Sequence, residues 1–112
     1  MEFIVIQRGA VCLISPQGSI DALTAPEFTA ALNAQIGAGR LHLVADLGAV
    51  DFMSSAGLRL LMQAAREARQ KGGDLRLAAA SPAVEKMLKM AGFTSVLKVF
   101  SDIEEAVSSY AS

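Results

Sequence analysis

The pattern that most constrains the fold is an alternation of short apolar runs with amphipathic stretches in the C-terminal two thirds of the chain. Residues 41–47, 75–79 and 96–100 read as strands, and a helical pattern follows each of them. Such alternation favours a largely parallel sheet joined by right-handed crossovers. The run 41–47 is nearly continuous in apolar residues, which is typical of a strand covered on both faces.

The N-terminal part of the chain predicts a β-hairpin and then a helix. Residues 3–7 and 11–15 are apolar runs separated by a short segment that contains glycine, which is a hairpin signal. A helix is expected to begin near Thr24, because Thr24 and Glu27 match a capping box and Pro26 fits the first turn. The predicted apolar face of this helix comprises Phe28, Leu32 and Ile36.

Three more helices are expected along the chain. One begins at Ser54 or Ser55 and ends at the Gly72-Gly73 pair, and a second begins at Ser81-Pro82. The last follows Ser101, which forms a second predicted capping box with Glu104. The sequence therefore predicts a single α/β domain over residues 1–112, with an N-terminal hairpin, a mixed but mostly parallel sheet and about four helices.

Composition narrows the class of protein. The chain has 112 residues, of which 53% are hydrophobic, enough for a core of ordinary size. Its net charge is −1 and it has no basic run, which argues against nucleic acid as a partner. No apolar run approaches the roughly 20 residues that span a bilayer, so we expect no direct membrane insertion. A single cysteine, Cys12, and no basic-flanked leader favour a cytoplasmic location.

The most informative candidate site is the serine pair in Asp51-Phe52-Met53-Ser54-Ser55-Ala56-Gly57-Leu58, at the predicted helix start. Ser55, Arg59, Gln63 and Arg66 are spaced by four, four and three residues, which places them on one polar helix stripe. Ser55 should therefore face solvent. Serines are common at helix starts, so the spacing alone also fits a structural role, with Ser54 as a helix cap and Ser55 as an ordinary polar residue of the first turn.

A phosphate on Ser55 would be compatible with this position. The unpaired N–H groups and the dipole of a helix N-terminus favour an anion, and Arg59 one turn on could contact it. Asp51 lies close in sequence, and Asp21 is expected near the same end of the sheet. A phosphoserine carries about −1.5 to −2 charges, so a partner surface matched to the neutral hydroxyl would then be repelled.

Other polar or reactive groups are better explained as structural. The lone histidine, His42, and Cys12 lie within predicted strands, and Asp46 is expected to accept backbone hydrogen bonds in the following loop. The serines lack the Gly-x-Ser-x-Gly elbow of a serine hydrolase. Met87 and Met90, with Phe93, fit either a partner groove or core packing, and core packing is the simpler interpretation.

In the segment around the serine pair, the chain resembles the STAS domain family, the fold of bacterial anti-sigma factor antagonists. The family pattern is a strand ending in Asp-Leu, a short loop, and Asp-Ser-Ser/Thr-Gly-Leu at a helix start. In this chain Ser54 stands where the family has an acidic residue before the acceptor. The other matching landmarks are Gly18-Ser19-Ile20-Asp21, Asp46-Leu47, Gly72-Gly73-Asp74-Leu75, Ser81-Pro82-Ala83-Val84 and Ala91-Gly92-Phe93.

The resemblance implies a regulatory binding protein that is not an enzyme and uses no cofactor or metal. Its unphosphorylated form would bind an anti-sigma factor that is also a GHKL-type serine kinase. That kinase would phosphorylate Ser55, with Ser54 as second choice, and a PP2C-type phosphatase would reverse the step. Asp21, Ser54, Ser55, Gly57 and Arg59 would form the partner-binding surface. The alternative is a STAS docking subunit, not phosphorylated, of a membrane-associated lipid or anion transport complex.

Overall fold

The structure is a computed structural model, and it describes residues 1–111. Within these residues the elements follow the predicted alternation, with short additions. The strands are β1 (Phe3–Arg8), β2 (Val11–Pro16), β3 (Gly18–Ile20), β4 (His42–Asp46), β5 (Val50–Met53), β6 (Asp74–Ala78) and β7 (Val99–Phe100). The helices are α1 (Ala25–Gly37), α2 (Ser55–Gln70), α3 (Pro82–Met90) and α4 (Ile103–Ser108), with a 3-10 turn at Phe93–Ser95.

The main sheet has the strand order β1-β2-β4-β6-β7. β1 and β2 form the antiparallel hairpin, and Gly9 (φ +60°) supplies the left-handed residue of its turn. The other neighbouring strands pair in parallel, with Leu43 opposite both Cys12 and Leu75. The predicted mixed, mostly parallel sheet with an N-terminal hairpin is confirmed. The last strand is shorter than predicted, because the chain forms the 3-10 turn before it.

Helices cover both faces of this sheet. On one face, side chains such as Leu43 and Leu77 pack with residues of α1, α2 and α3 in the larger core. On the other, Val44 and Ala78 pack with Ala106 of α4. Because both faces are buried, β4 needs apolar residues at successive positions, which explains its nearly continuous apolar sequence.

A second sheet contains only β3 and β5, which run parallel. Ile20 pairs with Met53, and the register shifts by one residue between Gly18 and Ser19. Gly18 has φ +89°, a conformation that glycine adopts without steric cost. The sequence pattern did not predict this small sheet, and it is the element that brings the Asp21 loop beside the serines.

Both predicted capping boxes are wrong. The Thr24 hydroxyl makes no cap hydrogen bond to α1; it donates to the Ser19 carbonyl at 2.8 Å, and the Glu27 carboxylate contacts the Met1 amine instead. Asp102, not Ser101, caps α4, because its Oδ1 accepts from the amide of Glu105 at 2.8 Å. A carboxylate is a stronger acceptor than a hydroxyl, so the cap moves one residue along the chain.

Glu104 also has a different partner from the predicted box. Its carboxylate forms a two-pronged ion pair with the Arg8 guanidinium, at 2.7 and 2.9 Å. This pair lowers the pKa of Glu104 and raises that of Arg8, because the hydrogen bonds and the attraction of opposite charges stabilise the ionised form of each group. The contact connects α4 to the end of β1.

Tyr110 connects the segment after α4 to the main sheet. Its hydroxyl lies 2.7 Å from the Leu43 carbonyl oxygen and 2.8 Å from that of Asp74, and its ring stacks on His42. Burial raises the pKa of this phenol well above its ordinary value. His42 is therefore part of a packed aromatic contact, which confirms the structural interpretation of the lone histidine. Among the described residues, no helix is both long and apolar enough to cross a membrane.

Candidate functional site

The serine pair lies at the junction of β5 and α2, and the two serines have different environments. Ser54 is the N-cap of α2, with extended backbone (φ −82°, ψ 174°), and its hydroxyl oxygen accepts a hydrogen bond from the amide of Gly57 at 3.3 Å. Ser55 is the first helical residue and is exposed. Within residues 1–111 the structure records no hydrogen bond from the Ser55 hydroxyl, which leaves it open to solvent.

The Ser54 backbone joins this junction to a second segment. Its amide donates to the carbonyl oxygen of Ile20 at 2.9 Å, which continues the β3–β5 pairing by one step. Asp21 follows Ile20 directly. The small sheet therefore places the loop that begins at Asp21 next to the N-terminus of α2, which is the neighbourhood that the sequence predicted for these residues.

Asp21 organises its own loop through hydrogen bonds. Its Oδ1 accepts from the amides of Leu23 at 3.0 Å and Thr24 at 3.1 Å, and from the Thr24 hydroxyl at 3.2 Å. These bonds, with that from the Thr24 amide first among them, hold the pKa of the Asp21 carboxyl below its ordinary value, because they favour the charged form. The result is a fixed negative charge beside the serine junction.

Gly57 permits the close approach of α2 to β3. A Cβ atom at this buried position would lie 2.8 Å from Met53 Cγ and 2.9 Å from both Ile20 Cγ2 and the Ile20 carbonyl oxygen. These separations are shorter than van der Waals contact allows. Glycine is therefore required so that the first turn of α2 can pack against the end of the small sheet.

The polar stripe of α2 is exposed, as its spacing predicts. Ser55, Arg59, Gln63 and Arg66 all face solvent, while Gly57, Leu60 and Leu61 face the core. The stripe borders a groove of about 480 Å³ between α2 and the segment after α3. The groove is lined by Ser55, Leu58, Arg59, Met62, Gln63, Arg66, Ala91 and Phe93.

Two exposed apolar side chains lie in the same neighbourhood, and the sequence analysis did not single them out. Leu23 is 81% exposed in the Asp21 loop, and Phe52 is 46% exposed on β5, in the register position opposite Ser19. The neighbouring Asp51 carboxylate is fixed by the Ser19 hydroxyl, which donates to Asp51 Oδ1 at 3.0 Å. Phe52 could have been found as a large aromatic residue that directly follows Asp51 and precedes the serine pair by only two positions.

Thus one surface carries an open hydroxyl, two carboxylates, two exposed apolar side chains and one arginine. We call this set the junction surface; it consists of Asp21, Leu23, Asp51, Phe52, Ser54, Ser55 and Arg59. Such a mixture of apolar and charged groups is typical of a protein-binding surface rather than of a closed small-molecule site.

The remaining sequence candidates have structural roles. Cys12 is buried in the core, and burial raises the pKa of its thiol. Asp46 accepts from the amide of Gly48 at 2.9 Å and from the Ser15 hydroxyl at 3.0 Å, which confirms its predicted role in the loop. Met87 is half-buried, but Met90 is 78% exposed, so the core-packing interpretation is wrong for Met90. It is the last residue of α3, whose buried side chains are Val84 and Leu88.

Comparison with known proteins gives a consistent result. A family model described as the STAS domain matches residues 2–106. The candidate anti-sigma factor antagonist BtrV of Bordetella bronchiseptica is 35% identical over 94 residues, which cover 84% of this chain and 81% of that protein. The range matched by the family model includes both the hairpin and the junction surface.

Two solved structures are similar to the whole fold. An anti-sigma factor antagonist from Mycobacterium paratuberculosis superposes with a TM-score of 0.91 at 25% identity, over 99% of this chain and 94% of that one. The Bacillus anti-sigma factor antagonist SpoIIAA in its unphosphorylated form gives a TM-score of 0.82 at 22% identity, covering 96% and 95% of the two chains. At the lower identity, the likeness concerns the fold alone.

Proposed function

The chain belongs to the STAS domain family, and we propose that it is an anti-sigma factor antagonist controlled by phosphorylation of Ser55. On this proposal residues 1–112 form one STAS domain that works in the cytoplasm as a regulatory binding protein and catalyses no reaction. Its partner is an anti-sigma factor that is also a GHKL-type serine kinase, and a PP2C-type phosphatase restores the unmodified form. The 35% identity to a candidate antagonist of this class supports the proposal.

The observation that carries the proposal is the difference between the two adjacent serines. The Ser54 hydroxyl oxygen accepts the hydrogen bond that caps α2, whereas Ser55 is exposed and accessible to a modifying enzyme. The cap also explains how Ser54 can stand where the family has an acidic residue. Serine and aspartate are both strong N-caps, so the replacement preserves the helix start while it removes one negative charge.

Binding in the unmodified state is assigned to the junction surface. Leu23 and Phe52 offer apolar area that a partner can bury, while the ionised Asp21 offers a fixed charge to an oppositely charged group. Arg59, one turn beyond Ser55, extends the surface along the groove beside α2. Ser54 and Gly57 contribute by holding the two segments in place.

Phosphorylation would reverse this binding through charge. A phosphate on Ser55 sits at the positive end of the α2 dipole and within reach of Arg59, so the fold tolerates it. It also adds a dianion to a surface that already holds the carboxylates of Asp21 and Asp51. A partner fitted to the neutral hydroxyl then meets both steric bulk and repulsion.

Titration calorimetry against the GHKL-type serine kinases of the source organism tests this function. Wild type and Ser55→Ala should bind one such kinase with similar affinity. A chain carrying phosphoserine at position 55 should bind at least about tenfold more weakly, the effect of losing about 1.4 kcal/mol. Phosphoserine at the exposed Ser108 of α4 is the matched control and should leave affinity unchanged.

Each contrary result of this titration contradicts a different part of the proposal. Absence of binding to every such kinase contradicts the antagonist function. Equal affinity of the modified and unmodified chains keeps the antagonist but contradicts the switch. Binding instead to a membrane transport protein, unaffected by phosphoserine, would favour the docking-subunit alternative.

A further inference from the structure

The main sheet has β1 at one edge, and this free edge is unusually apolar. β1 is the outermost strand, and its side chains are exposed on both faces: Phe3 is 38% exposed, Ile4 51%, Val5 37% and Ile6 47%. Proteins usually protect such an edge with charged residues, proline or a bulge, because an unpaired edge strand is a template for another strand. The four consecutive positions 3–6 of β1 have no such protection.

The hydrogen-bond pattern of the hairpin identifies the backbone groups on this edge. The Gln17 amide donates to the Glu2 carbonyl at 2.9 Å, so Glu2 and Gln17 belong to a hydrogen-bonded pair. In an antiparallel ladder such pairs alternate, and Ile4, Ile6 and Arg8 therefore also point their backbone groups at β2. The backbone groups of Phe3, Val5 and Gln7 consequently point outward to the free edge.

From this pattern we infer that a second copy of the chain pairs with the first through β1, antiparallel and centred on Val5. Val5 then forms a hydrogen-bonded pair with Val5 of the second copy, and Phe3 forms one with Gln7. This register joins every outward-facing backbone group of β1 to a partner. The two main sheets become one continuous sheet about a two-fold axis, the commonest symmetry of protein dimers.

The side chains of β1 are complementary to themselves in this register. On one face, Ile4 lies opposite Ile6 of the second copy, and Glu2 lies opposite Arg8. Each dimer therefore contains two equivalent Glu2–Arg8 pairs at the ends of an apolar centre. Opposite charges and β-branched pairs placed directly across strands are favourable. A strand from an unrelated protein would need no such self-complementarity, so the charge pattern favours a second copy as the occupant.

The dimer is expected to be weak. The contact consists mainly of one strand from each copy, which is at the low end of interface sizes and corresponds to transient association. Sedimentation equilibrium of the full chain between about 5 μM and about 500 μM would cover that range. A concentration-dependent monomer–dimer equilibrium is the expected result, whereas a monomer throughout overturns the proposal and leaves the edge to a strand of another protein.

Charge reversal tests the register. Glu2→Arg places two arginines opposite each other, and Arg8→Glu places two glutamates opposite each other, so each variant alone should dimerise about tenfold more weakly. An equal mixture of the two variants restores both opposite-charge pairs and should recover the wild-type affinity. Because Arg8 also pairs with Glu104, the fold of Arg8→Glu is checked by circular dichroism.

Two further variants distinguish pairing through the β1 edge from a general effect of added positive charge. Val5→Pro removes an outward-facing amide without touching the β1–β2 ladder, and it should abolish the dimer while the monomer stays folded. Glu67→Arg makes the same charge change as Glu2→Arg at an exposed site on α2 and should have no effect. Dimerisation that survives Glu2→Arg, or a variant mixture that fails to recover affinity, would contradict the proposed register. The inference does not depend on the proposed function.

Discussion

The amide nitrogen of Ser54 lies 2.9 Å from the carbonyl oxygen of Ile20, and this hydrogen bond joins two segments that are distant in sequence. One segment continues into the exposed Ser55, and the other continues into Asp21. Because both follow directly from paired strands, their relative position is set by backbone hydrogen bonds and not by mobile side chains. A partner can therefore recognise the open hydroxyl and the fixed carboxylate as one rigid pattern.

The first prediction concerns the close contact at Gly57. Gly57→Ala should lower the free energy of unfolding by about 1–3 kcal/mol, because the new Cβ overlaps the Ile20 carbonyl and Met53. Urea denaturation measures this change. Gly37→Ala, at the end of α1 where a Cβ meets nothing within 4 Å, is the matched control and should be neutral or slightly stabilising. Equal stability of Gly57→Ala and wild type would contradict the required close approach.

The second prediction distinguishes the two serines by stability. Ser54→Ala should cost about 0.5–2 kcal/mol because it removes the acceptor for the Gly57 amide. Ser55→Ala should change the free energy of unfolding by less than about 0.5 kcal/mol, since its hydroxyl faces solvent. Ser81→Ala, which removes the equivalent cap of α3, provides the reference value for a cap in this chain. The reverse order of the two serine variants would show that the helix begins one residue later.

The third prediction concerns the pH dependence contributed by Asp21. Hydrogen bonds lower its pKa in the folded state, so its ionised form stabilises the fold at pH values above the unfolded aspartate pKa of about 3.9. That contribution is lost as the pH falls through the lower, folded pKa. Asp21→Asn lacks this titration. The stability advantage of wild type over Asp21→Asn should therefore be constant near pH 6 and shrink below about pH 4, as measured by urea denaturation. Parallel curves for the two proteins would show that the Asp21 hydrogen bonds do not favour its charged form.

The larger elements were predictable from sequence for clear physical reasons. β4 is buried on both faces at Leu43, Val44 and Ala45, which are apolar in succession, while α2 has a wide apolar stripe and strong end signals in Ser54 and the Gly72-Gly73 pair. These patterns reflect which side chains are buried, and burial of apolar surface is the dominant favourable contribution to folding. The exposure of the Ser55 stripe followed from the same periodicity.

The missed features depend on contacts between distant segments. β3 and β5 are short, and β5 exposes Asp51 and Phe52 in succession, so neither strand shows a clear period. The Thr24 hydroxyl matched a local capping pattern, yet it bonds to Ser19 and Asp21, on the side of the chain that precedes the helix. The β3–β5 pairing could not be anticipated from local patterns, since only the fold brings these two segments together.

The most direct test of the central claim is the modification state of Ser55 in the protein isolated from its own cells. Intact-mass measurement followed by fragment mapping should find a fraction of molecules heavier by one phosphate, with the phosphate on Ser55. The same measurement on Ser55→Ala should find no such fraction. Phosphate located on Ser54, undiminished phosphate in Ser55→Ala, or its absence under every growth condition would contradict the assignment of Ser55 as the switch.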